Sequence, residues 1–257
     1  MEKTDLIMLA RNLMLETLYA RSYKDILDQY IENRRKYKTE MGQSPTFYSI
    51  SELALFEALS IRIARLYDKD DKSANLSFLM EQAENHVDYF PKSSGELVTE
   101  SEGEEYRIVI PLRHTLRECE KCYFKEKVEQ QKAAASVFGT PGKEITIDVS
   151  IHELLDMYHK RFTSLGAVKK NLTTQRNKIF AHNDKDLNFD LDAIYKSAPL
   201  FRDDIEKMLE FAEDYTVFCY ESLSGENAVI GFSDIDDWEN TLELVKRLRF
   251  NERGDLP

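Results

Sequence analysis

Apolar residues return at helical spacing along most of this chain, and that period restricts it to a helical architecture. Leu6, Leu9, Ala10, Leu13, Tyr23, Ile26, Leu27, Tyr30 and Ile31 mark one face of a long first helix over about residues 3–38. Gly42, Ser44 and Pro45 break it. Ser49 or Ser51 can cap a second helix running to about Asp68, where Leu53, Leu55, Phe56, Leu59, Ile61, Ile63, Ala64 and Leu66 are apolar nearly all round. That pattern predicts a central, buried helix. A shorter helix is expected around Leu76–Asn85. Ser150-Ile151-His152-Glu153 has the order of a capping box. From there Ile151, Leu154, Leu155, Tyr158, Phe162, Leu165, Leu172, Ile179 and Phe180 keep the helical period, with Gly166 as a candidate bend and Asn183, Asp184 and Asp186 at the end. Further helices are expected over about Pro199–Leu223, stopped by Gly225, and about Ser233–Phe250. The last has Asp234, Asp236 and Asp237 at its start and Lys246, Arg247 and Arg249 at its end, which complements the helix dipole.

Residues 91–107 change character. Pro91, Ser93, Ser94, Gly95 and Gly103 lie among glutamates, the composition of a loop or linker. Tyr106–Ile110 reads as a short strand, and Pro111 suits the first turn of a helix ending near Ser136. Glu144–Val149 is a second strand able to pair with the first. The expected fold is therefore all-α: an antiparallel bundle of four to five long helices, built from 1–90 and 150–257 as one discontinuous domain. Segment 91–149 is expected to insert one helix and a small β-hairpin, with few contacts at its glycine- and proline-bearing borders.

The chain of 257 residues can bury a sizeable core, and its mixture of 42% hydrophobic and 32% charged residues is that of a soluble globular protein. No run is long enough to cross a bilayer, and the first residues lack the order of a signal peptide. Three cysteines do not form a disulfide framework, so a cytoplasmic location is expected. Cys119 and Cys122 make a lone CxxC near His114, with Cys219 distant and no second ligand pair, so neither a metal site nor a cofactor is expected. Asp184, Asp186, Asp190 and Asp192 lack the glycine and closing glutamate of a calcium loop. The tyrosines at 19, 23, 30 and 37 are expected on a core or dimer face.

Chemistry concentrates in Arg176-Asn177-Lys178-Ile179-Phe180-Ala181-His182-Asn183-Asp184. Arginine, amide and histidine can hold a phosphate and move a proton. They lie in a stretch, Met157–His182, that has no Asp or Glu but contains Lys160, Arg161, Lys169, Lys170, Arg176 and Lys178. Its formal +6 stands inside a chain of net −12, so the remainder carries −18. A local positive field on a negative body suits a polyanion. Basic residues are also what any helix C-terminus favours. Six positions along one helix separate Arg176 and His182 by about 9 Å and roughly 120°. One helix therefore cannot bring both onto one atom. They either line opposite sides of a groove or are completed by a second copy. Arg62, Arg65 and Asp68, on the helix read as buried, need partners: an internal salt bridge, or Arg176 and His182 themselves.

The stretch Arg176–Asp184 resembles the arginine–polar–x–histidine signature of the HEPN superfamily, and most nearly its abortive-infection U-type branch. The resemblance extends to the helix end Ala58-Leu59-Ser60-Ile61-Arg62-Ile63-Ala64-Arg65-Leu66-Tyr67-Asp68 and the Leu76-Ser77 step, and covers about 1–90 and 150–224. It implies an RNA-cleaving, metal-independent toxin or phage-defence enzyme whose two copies face one cleft. His182 would act as general base or acid on a ribose 2′-hydroxyl, Arg176 would hold the phosphate, and Asn177 would orient it. Lys169, Lys170 and Lys178 would bind the RNA backbone, with Arg65, Asp68 and Asp184 in support. The implied partners are a second copy, RNA and a cognate antitoxin protein, with no membrane. The alternative is a non-catalytic HEPN module that binds nucleotide, RNA or a partner protein.

Overall fold

In the computed structural model the described residues are 1–68, 70, 73–101, 104–138, 144–176, 196–228, 231–232 and 234–252. The first helix, α1 (Lys3–Asn33), buries Leu6, Ala10, Leu13, Thr17, Ala20, Lys24 and Leu27. That sequence of threes and fours is the stripe a helix lays against neighbours on one side. A turn and the short α2 (Lys38–Met41) replace the expected last turn of this helix, and α3 (Pro45–Leu66) starts with its proline at the first position. Pro suits that place because its missing N–H would have had no intrahelical partner.

Ion pairs give the direction of packing. Along α1, Glu16 meets Arg62 at 2.5 Å and Arg34 meets Glu52, so α3 runs antiparallel to α1. The helix α8 (Arg202–Ser224) does the same on another side: Arg202 reaches Asp28 and Glu32, Glu206 meets Lys24, and Glu213 meets Arg21. Gly225 ends α8 in a left-handed conformation (φ 75°), which a side chain would strain, and its N–H caps Glu221 O. Short α4 (Leu76–Asn85) packs on α1, while α6 (Ile151–Ser164) lays Tyr158 and Phe162 on Phe211 and Tyr215 of α8. The capping box at its start is formed: the Ser150 side chain accepts from the Glu153 N–H, and Glu153 accepts from the Ser150 N–H. At Leu165–Gly166 the long expected helix breaks into α6 and α7 (Gly166–Gln175). The terminal α9 (Asp237–Glu252) docks on α1 through Trp238, which packs edge-on against Tyr30 and donates to Gln29. Leu6, Leu79, Met208 and Leu209 are fully buried at the centre. Truncating one of them to alanine would cost about 2–5 kcal/mol.

The fold is mainly helical with, among the described residues, two small antiparallel two-stranded sheets. Three expectations inside 91–149 are corrected. The expected linker contains a strand, β1 (Gly95–Ser101), because it finds a partner in β2 (Glu104–Ile110). Pro111 opens no helix. It separates β2 from β3 (Leu112–Leu116), and α5 starts only at Lys125 and runs to Phe138. The strand β4 (Ile145–Val149) pairs with β3 and not with β2. A fourth correction concerns α3: Phe47, Ile50 and Leu53 of its N-terminal half are exposed, while Leu59, Ile63 and Leu66 on one face of its C-terminal half are buried. Of the tyrosine set, Tyr30 and Tyr37 are buried, whereas Tyr19 is exposed under the Arg62 guanidinium. No helix of the described residues is long and apolar enough to cross a membrane.

Candidate functional site at the Arg176–Asp68 pair

Arg176 follows the last residue of α7, and its backbone is still helical. Two side-chain bonds fix that helix end. Asn171 donates to Pro199 O at 2.8 Å, and Gln175 donates to Ala198 O at 2.7 Å, which ties α7 to the chain entering α8. Asp68 lies just beyond the end of α3 and is placed by its neighbour. Tyr67 is buried, donates its hydroxyl to Met208 O at 2.6 Å and stacks on Phe162. Across the gap between the two helix ends, Arg176 Nη1 donates to Asp68 Oδ2 at 2.9 Å. Both side chains keep about a third of their surface, 31% and 30%, in solvent. The pair is thus built on rigid elements and opens outward.

Other residues expected at the site are distributed differently. Lys169 turns back on its own helix pair, donating to Phe162 O and lying 3.3 Å from the Phe162 ring centroid. Lys170 is exposed. Arg65 points to Glu16 on α1, 3.7 Å away, and not to Arg176. Asn177, Lys178, His182 and Asp184 lie outside the described residues, as does the aspartate run after them. Three of the six basic residues counted over Met157–His182 are paired with acids. Lys160 meets Asp156, Arg161 meets Asp214 and Glu120, and Arg176 meets Asp68.

A second ionic cluster has no counterpart in the sequence reading. Glu120, 1% exposed, accepts from the Arg117 N–H at 3.0 Å and bonds His114 Nε2 at 2.9 Å. Its other oxygen faces Arg161 at 3.5 Å, and Arg161 Nη2 donates to Asp214 at 2.9 Å. Arg117 pairs with the same Asp214. Burial pushes the Glu120 carboxyl up, but the bonds from His114 and the Arg117 N–H, with the charges of His114 and Arg161, outweigh it and hold the group below the usual glutamate range. Burial also pushes the Tyr158 hydroxyl well above its ordinary value. This cluster joins the 91–149 segment to α6 and α8. The sequence signal for it is weak: Arg161 and Asp214 fall three residues after the core residues Tyr158 and Phe211, but beside the charged Lys160 and Glu213.

The profile of the HEPN AbiU2 family, described as AbiU2, matches residues 3–241. The chain belongs to the AbiU2 family of HEPN proteins. The match runs through 91–149 and into the first turn of α9, further than the resemblance at 1–90 and 150–224. No curated protein and no solved structure matches the chain.

Proposed function

We propose that this AbiU2-family chain is a metal-independent endoribonuclease of toxin or phage-defence type, working as a homodimer. Family membership carries the coarser reading, a nuclease-like or abortive-infection module. The observation that supports the finer one is the Arg176–Asp68 pair, an outward-opening arginine held at a fixed helix end by a carboxylate. Asp68 sets the plane of the guanidinium, and such a fork of five donors matches a phosphate in two-point contact. Arg176 then binds the scissile phosphate and stabilises its charge as the 2′-oxygen attacks. His182 takes the 2′-hydroxyl proton or returns one to the leaving 5′-oxygen, and Asn177 orients the phosphate. Lys170 and Lys178 meet the RNA backbone, with Asp184 in support. The exposed apolar side chains of α3, the helix that ends just before Asp68, provide a face for a second copy.

The test is incubation of total RNA with the wild-type chain beside His182→Ala, with end-group analysis. Fragments bearing a cyclic phosphate and a free 5′-hydroxyl, lost in the variant, support the reading. Equal cleavage by a folded His182→Ala chain overturns it. So does wild type that leaves every RNA intact, and binding without cleavage then moves the chain to the non-catalytic module. That second reading is favoured by the pairing of Lys160 and Arg161 with acids.

A further inference from the structure

Between β3 and α5 the chain makes a tight turn that the ribonuclease reading does not use. Glu120 N donates to Arg117 O, Lys121 N to Glu118 O and Tyr123 N to Glu120 O, all three residues apart. This is 3₁₀ geometry, in which positions i and i+3 eclipse and the rise is about 2.0 Å per residue. Cys119 lies in the 3₁₀ turn Glu118–Glu120 and Cys122 in the turn that Tyr123 N closes on Glu120 O, so at about that rise their Cα atoms lie roughly 6 Å apart, inside the range a disulfide spans. A direct contact agrees: Cys122 Sγ donates to Cys119 O at 3.4 Å, folding the second sulfur over the first residue. Both thiols are free and exposed. Cys219 is free too, but it is fully buried in α8, and burial pushes its thiol up to about 12.

We propose that Cys119 and Cys122 are a reversible dithiol–disulfide site that reacts with low-molecular-weight disulfides of the glutathione class. One protein thiolate attacks the small disulfide and expels a thiolate, forming a mixed disulfide. The second cysteine displaces the other small thiolate and closes the intramolecular S–S bond. The two protons from the cysteines end on the two small thiols, so the protein is oxidised by two electrons and the small disulfide is reduced by two. Location gives the site its consequence. Glu120 lies between the two cysteines, on the same turn, and its carboxylate links β3 through His114 to α6 through Arg161. Closing the bond stiffens the turn that carries this link. The inference is independent of RNA cleavage.

The full chain, reduced and then equilibrated with buffers of rising glutathione disulfide to glutathione ratio, is quenched, alkylated and mapped by mass. Cys119 and Cys122 are expected to lose reactivity together, their peptide to lose two hydrogens, and dithiothreitol to restore both. Cys219 is expected to stay reduced throughout. Cys122→Ser should trap Cys119 as a stable mixed disulfide with glutathione. Phenylarsine oxide, which bridges paired thiols without oxidation, should bind wild type once and leave the serine variant unbound. Separate glutathione adducts on both cysteines of wild type, or two unchanged thiols in glutathione disulfide alone, would overturn the pair. Amide exchange over residues 112–123 is expected to be slower in the oxidised chain; identical exchange in both forms would sever the link to the Glu120 anchor.

Discussion

Arg161 and Arg176 make the same chemical contact in opposite surroundings. Arg161, near the end of α6, is almost closed off and touches Glu120 and Asp214, which are buried with it. Arg176, at the end of α7, meets an Asp68 as open to solvent as itself. Removing one partner from a buried group of charges leaves the others uncompensated, so the Arg161 cluster is tied to folding. A half-open pair contributes only about 0–1 kcal/mol. The Asp68 pair by itself is therefore a weak source of stability, and the proposed phosphate contact is what the variants at 176 test. Equal exposure of the two arginines would have removed this distinction.

Arg161→Ala should produce the largest change, a loss of about 3 kcal/mol in urea denaturation, because two buried carboxylates each lose one of their two cationic partners, Glu120 keeping His114 and Asp214 keeping Arg117. In the same variant, limited proteolysis should spread into β3 and β4. In wild type the first cuts should fall between Gly95 and Ile110, where Leu97, Val98, Tyr106, Ile108 and Val109 of the β1–β2 hairpin are all exposed. A cost under about 1 kcal/mol would make the two arginines alike.

Asp68→Asn keeps the shape of the side chain but removes the charge that orients Arg176. RNA cleavage should fall by about 10- to 100-fold, the scale of a misplaced reacting group. Unchanged cleavage would limit Asp68 to closing a helix end.

The pH dependence separates the regions further. Glu120 has a depressed carboxyl in the folded chain. The stability it contributes is thus fully present above the ordinary glutamate range, near about 4.3, and is lost as pH falls through its lower folded value. Melting temperature should drop between about pH 5 and pH 2 less steeply in Glu120→Gln than in wild type. Parallel curves would place the acid-sensitive groups elsewhere. Arg176→Ala should show the smallest stability effect, about 1 kcal/mol or less in the same urea titration. A loss several times larger would turn Arg176 into a second structural arginine.

Much of the bundle was legible because helices write their period into the sequence. The capping box at Ser150, the break at Gly166 and the stop at Gly225 are local signals that the fold honours. Segment 91–149 was less legible because a strand is completed by a partner that the local residues do not name. Proline fits a strand end as well as a helix start, so Pro111 misled, and β1 was hidden in a composition typical of loops. Apolarity all round α3 suggested burial, yet Phe47, Ile50 and Leu53 remain open, since hydrophobicity does not say which protein covers a side chain. Around the candidate site, Asp68 was legible as a residue in need of a partner, with Arg176 among those open to it, and the fold brings the two together. The Glu120 cluster was not, because its members are dispersed from His114 to Asp214 and only tertiary packing gathers them.

The central claim is that Arg176 is kept for a forked contact and not for its charge. Arg176→Lys tests it most directly, since lysine keeps the charge beside Asp68 but cannot present two parallel donors to a phosphate. Wild type and variant, matched for fold by circular dichroism, are compared for cleavage rate on the same RNA. The account predicts a fall of about 10²- to 10³-fold with the urea midpoint nearly unmoved. A lysine variant that cuts as fast as wild type would contradict it.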